Sequence, residues 1–214
     1  MPKNSPDITE PDIIEMIITS LKSMDRRFTD LSKLRFNELS DELKEKLLEQ
    51  KIQERPFAYE FYHQIRKYWD TKNTGDLVIQ AEVNKGYQRI RNLNRIPDFI
   101  IHTPNTNNNI AVLEFKVVRD ENSTLESIKR DFEKLVDFYV ILNYKHLVEV
   151  LIGNSEELEK IMNKIEELSE VEVVNENKGE KDFPQITTIF FSIDKWNIIK
   201  IVHYKYNRKY NLPS

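Results

Sequence analysis

Three ionisable residues occupy positions where apolar strands are expected. The stretch "RIPDFIIHTPNTNNNIAVLEFK", Arg95 to Lys116, holds two apolar runs joined by an Asn-rich turn. One run opens with Asp98 directly after Pro97. The other carries Glu114 and Lys116 two residues apart. Charges inside a core are costly unless they are paired or bind a metal. Side chains alternate between the faces of a strand, so Glu114 and Lys116 share one face and Phe115 points to the other. If "DFIIH" pairs beside "IAVLEFK", Asp98 lies next to Glu114. Two adjacent carboxylates repel, and one takes up a proton unless a cation stands between them. A hard divalent ion with oxygen ligands, Mg²⁺ or Mn²⁺, resolves the conflict. The lysine adds positive charge at the same place, able to orient a water or to neutralise charge developing at phosphorus. Metal-assisted hydrolysis of a phosphodiester is the chemistry that suits these types at this spacing.

Such residues need a scaffold. "RPFAYEFYHQIRKYW" has proline in its first turn and then helix formers with an aromatic face. "DLVIQAEV" reads as a strand after a Gly75-Asp76 turn. The two strands of the opening stretch follow. "NSTLESIKRDFEKLVDFYVILN" reads as a long helix with Ser123 and Glu126 as a capping box. "HLVEVLIG" is a strand. Asn154 and Glu157 mark the start of the helix "SEELEKIMNKIEELSE", and "TTIFFSI" and "NIIKIVHYKY" are closing strands. Helices alternating with apolar strands predict an α/β fold, a central mixed sheet flanked by helices. Ahead of this unit, Ile13, Ile17 and Leu21 form a helical apolar stripe, and Ser40 begins a second helix reaching about Lys51. The expected division is a helical extension over 1–54 and a main domain over 55–214.

Composition narrows the functional classes. The chain has 214 residues and no cysteine, which excludes disulfides and thiolate metal sites. Its four glycines provide no phosphate-cradling loop and no dinucleotide fingerprint. The start, "MPKNSPDITEPD", lacks the charged-then-apolar order of a secretion signal, and the apolar runs are too short to span a bilayer. A soluble, cytoplasmic protein is expected. The net charge of −4 is unevenly spread. Asn84 to Pro97 holds no acid but has Lys85, Arg89, Arg91 and Arg95. From Asn154 to Asp182 there are ten acids against four lysines.

Pro97-Asp98, fifteen intervening residues and then Glu114-Phe115-Lys116 resemble the signature of the PD-(D/E)XK nucleases, the restriction-endonuclease-like superfamily. In that family the aspartate starts one strand of a hairpin and E-x-K lies on the next. A helix with an acid precedes them, and a helix with a polar residue follows. The resemblance covers roughly Pro56 to Gly153. It implies a restriction-endonuclease-like core and a Mg²⁺-dependent nuclease, with DNA a more frequent substrate than RNA, in restriction or defence, repair or recombination. It implies that Asp98 and Glu114 ligate Mg²⁺, helped by the carbonyl of Phe115 and by Glu60, with Mn²⁺ able to substitute. Lys116 would position the attacking water, and Lys129 would stand near the scissile phosphate. Asp131 is a further polar residue of that following helix.

Several residues have a plainer reading beside the functional one. Glu60 is as well suited to a salt bridge, Lys129 and Asp131 to a solvated helix face, and His102 to a structural hydrogen bond. Glu82 ranks below Glu60 as a further acid. Lys85, Gln88, Arg89, Arg91 and Arg95 precede the motif aspartate and suit phosphate contacts. A homodimer is natural if both strands of a duplex are cut. Two rival readings use the same residues: a catalytically silent nuclease fold that binds nucleic acid or a protein, and an RNA nuclease.

Overall fold

The computed structural model describes residues 10–29, 53–72, 74–82, 95–119, 121–174 and 184–207. Helix α1 (Glu10–Lys22) comes first, then a 3-10 turn (Arg26–Phe28). Helix α2 (Glu54–Asp70) leads to strands β1 (Val78–Ala81), β2 (Phe99–His102) and β3 (Asn109–Val117). Helix α3 (Glu121–Leu142), strand β4 (His146–Gly153) and helix α4 (Ser155–Glu166) follow. Strands β5 (Val171–Val173), β6 (Gln185–Ser192) and β7 (Asn197–Tyr206) complete the order.

The seven strands form one mixed sheet in the order β1-β2-β3-β4-β6-β7-β5. β1, β2 and β3 form an antiparallel meander, and β3, β4 and β6 run parallel. The expected α/β architecture is therefore present. The short edge strand β5 was not expected. Its sequence "VEV" is too brief and too exposed to carry a strand pattern, and pairing with β7 is what extends it.

Each face of the sheet has its own core, as period-two alternation requires. Phe99, Leu113, Phe115, Val150 and Phe191 pack against α1 and α2 on one face. Val112, Leu147, Leu151 and Phe190 pack against α3 and α4 on the other. α2 forms because Phe57, Phe61, Ile65 and Trp69 recur at helical spacing and are all buried. Phe61 and Phe115 approach to 5.0 Å between ring centroids. α1 shares this core through Ile13, Ile17 and Leu21. The Trp196 indole N–H donates to the carbonyl of Met24 at 3.0 Å, tying the end of α1 to the β6–β7 connection. The second N-terminal helix expected from Ser40 lies outside the described residues. Among the described residues no helix is long and apolar enough to cross a membrane.

Turn chemistry sets the strands that matter. Gly75 takes a left-handed φ of 60° before β1. The β2–β3 hairpin turns through Asn105, also at φ 60°, a conformation asparagine tolerates. The Thr103 N–H donates to the Asn108 carbonyl across that turn at 3.0 Å. The glutamate and lysine of β3 thereby fall on an interior strand with neighbours on both sides.

Candidate active site

β2 and β3 pair antiparallel, with Phe99 against Leu113 as the last pair of the ladder. One residue further, Asp98 falls opposite Glu114. Pro97 has no N–H for a ladder bond and stands where the strand begins. The Asp98 side chain takes over the pairing there: its Oδ2 accepts the N–H of Phe115 at 2.7 Å. Phe115 thus contributes its backbone to the site, while its ring is wholly buried on the opposite face.

α3 crosses the same face as Asp98 and Glu114 and supplies charge of both signs. Lys134 Nζ lies 2.6 Å from Glu114 Oε2 and 3.3 Å from Asp131 Oδ1. Lys116 Nζ lies 3.3 Å from Asp131 Oδ2 and 3.6 Å from Glu54 Oε2. Asp131 and Lys134 are three apart, adjacent on one helix face. Beside Glu114 on the parallel strand stands Glu149, wholly buried. Five carboxyl groups, on Asp98, Glu114, Asp131, Glu149 and Glu54, therefore interact with two ammonium groups, on Lys116 and Lys134.

That imbalance appears in the protonation equilibria. Burial pushes the Asp98 carboxyl up to about 6, against the bond from Phe115. Burial, and then the charge of Asp98, raise Glu114 well above the usual carboxylate range. Burial raises Glu149 as well, with Asp131 and Glu114 adding to it. Burial disfavours the Lys116 ammonium, but Asp131, Glu54 and Glu149 outweigh it and hold its pKa above that of a free lysine. Lys134 is raised in the same way, burial opposing and Glu114 prevailing. Lys116 and Lys134 stay charged while Asp98, Glu114 and Glu149 are held toward their protonated forms, so among the described residues the cluster lacks positive charge.

Not every residue expected at the site reaches it. Glu60 does not: its Oε1 accepts the N–H of Asp25 at 3.0 Å and the Gln64 amide at 2.6 Å, between α2 and the turn after α1. Six residues rotate a helix by about 240°, so Glu54, and not Glu60, is the acid of α2 beside Lys116. Lys129 is also apart, paired with Glu126 at 3.2 Å. Lys134, five residues on, is the α3 lysine that meets Glu114. Arg95 pairs with Asp137 of α3 at 3.1 Å, fastening the chain just before Asp98. Lys85, Gln88, Arg89 and Arg91 lie outside the described residues. Glu82 is exposed, and its N–H donates to the Asp98 carbonyl at 2.9 Å. His102 Nε2 meets Gln80 Oε1 at 2.7 Å, beside an open polar hollow of about 490 Å³ that none of the clustered acids lines.

The donor set suits a hard divalent cation. Glu114 Oε1 is buried with no hydrogen-bond partner among the described residues, and Asp98 stands opposite on the next strand. Both offer carboxylate oxygen, the ligand Mg²⁺ and Mn²⁺ prefer. Among the described residues no three His, Asp or Glu side chains form a ready-made metal cage. Fewer protein ligands suit Mg²⁺, which keeps several of its waters. No protein-family model, curated protein or solved structure matches the chain.

Proposed function

We propose that the protein is a divalent-metal-dependent nuclease of the PD-(D/E)XK type that hydrolyses phosphodiester bonds, with DNA as its substrate. The observation that carries this reading is the Asp98–Glu114 pair at the start of a buried hairpin, with Lys116 on the same face of β3. The αβββαβ order around that hairpin adds support, as do an acid on the preceding helix, Glu54, and a lysine on the following one, Lys134.

A cation bound by Asp98 and Glu114 would supply Lewis-acid charge at a phosphate oxygen and a more acidic water. The protein's own part is positioning and charge. Asp98 is fixed by the Phe115 N–H, so one carboxylate oxygen is oriented and the other is available. Asp131 and Glu54 hold the Lys116 ammonium charged next to the acids, where it orients the attacking water and offsets charge growing on the phosphate. Lys134 links Glu114 to α3 and brings a second ammonium within reach of an anionic substrate.

The test presents supercoiled plasmid, linear duplex, single-stranded DNA and RNA to the purified chain, each with Mg²⁺, Mn²⁺ or EDTA. Metal-dependent cutting of DNA that disappears in Glu114→Ala is expected. Cutting confined to RNA would transfer the activity to the other polymer. Metal-independent cutting would remove the metal from the mechanism, and no cutting on any substrate would remove the nuclease reading.

A further inference from the structure

The polar row does not stop at Glu114. The parallel registers set Glu114 against Glu149 on β4, and Glu149 against Thr188 on β6. All three point to the face covered by α3, because Val112, Leu147, Leu151, Ile186 and Phe190, two residues away on their strands, pack there. Glu149 and Thr188 are wholly buried, and Glu114 is 3% exposed. Glu114 Oε1, both carboxylate oxygens of Glu149 and Thr188 Oγ1 have no hydrogen-bond partner among the described residues. Lys134 donates to Glu114 Oε2 and leaves these four oxygens unanswered. Buried polar atoms are nearly always satisfied, and a buried carboxylate is the most costly exception.

We propose that Glu149, with Glu114 and Thr188, forms a second divalent-cation position, one strand inward from the Asp98–Glu114 pair. Carboxylate and hydroxyl oxygens on neighbouring strands are hard donors, so the ion is Mg²⁺ or Mn²⁺ and not a thiolate-seeking metal. Glu114 is common to both positions and bridges them. Glu149 and Thr188 are wholly buried, so the inner ion answers interior charge and does not touch the substrate. The inference rests on the unanswered oxygens and not on the nuclease reading.

Titration of the full chain with MnCl₂ alone, by calorimetry and by electron paramagnetic resonance of free Mn²⁺, separates the two claims. Two ions per chain are expected for the wild type, one for Glu149→Gln and one for Asp98→Asn. Thr188→Val should bind its inner ion about tenfold more weakly. A single wild-type ion that survives Glu149→Gln and is lost in Asp98→Asn would overturn the inner position and leave the nuclease reading standing. A single ion with the opposite pattern would keep the inner position and remove the outer one. No uptake by the wild type would overturn both. If Glu149→Gln does not fold, Thr188→Val decides, and a titration identical to the wild type's would overturn the proposal.

Discussion

A carboxylate in the middle of a buried strand is tolerable only where something answers its charge. At Glu114, Lys134 answers one oxygen and nothing among the described residues answers the other. Asp98 has a similar burden, and its pKa of about 6 has a consequence for stability. Below about pH 4 the group is protonated in both the folded and the unfolded chain. Between there and about 6 the folded chain keeps a proton that the unfolded chain has released, so stability falls as the pH rises. Above that range the cost is constant, at about 3 kcal/mol. In EDTA, Asp98→Asn should therefore melt higher than the wild type at about pH 8, and the gain should vanish near pH 4. An equal difference at both pH values would contradict the raised pKa. Lys116→Ala should retain Mn²⁺ binding and lose cleavage by at least about a hundredfold. Wild-type cutting by this variant would remove the lysine from the mechanism. Asp98, Glu114 and Lys116 were legible because a charge inside an apolar strand run is anomalous on its face. Glu149 carries the same signal in "HLVEVLIG", one acid among apolar residues, and the same reasoning applied there would have found it.

At the scale of elements, the sheet registers and the helix faces decide which candidates meet. Strand positions follow from alternation, so the pairing of Asp98 with Glu114 could be foreseen from a hairpin alone. Helix positions need a phase, and the phase is set by which residues the helix buries. Phe57, Phe61 and Ile65 turn α2 so that Glu60 faces the 3-10 turn and Glu54 faces Lys116. Phe132, Leu135 and Val136 turn α3 so that Lys134, not Lys129, meets the sheet. The apolar stripes were visible in the sequence, but where each helix lies on the sheet was not. Glu60→Ala should accordingly lower stability by about 1–3 kcal/mol, because the Asp25 N–H and the Gln64 amide lose their acceptor. Its cleavage rate per folded molecule should match the wild type. A selective loss of rate with unchanged melting would return Glu60 to the metal site.

Across the whole molecule, one sheet divides two cores, and the described part of the N-terminal region belongs to the first of them. Leu21 of α1 is wholly buried among the same residues that pack under β3. Leu21→Ala should cost about 2–5 kcal/mol and lower a single unfolding transition seen by both near- and far-ultraviolet dichroism. Two separated transitions would instead mark residues 1–54 as an independent unit. The sequence pattern predicted helices there but not their seat, since an apolar stripe states that a helix is covered and not by what. The activity proposed for the acid-rich cluster on β2, β3 and α3 is cutting of phosphodiesters with a divalent metal. Its most direct test is the nicking of supercoiled plasmid by the wild type and by Asp98→Asn, side by side, in Mg²⁺ and in EDTA. Nicking by the wild type in Mg²⁺ alone is expected. Nicking that persists in Asp98→Asn or in EDTA, or its absence from the wild type, would contradict it.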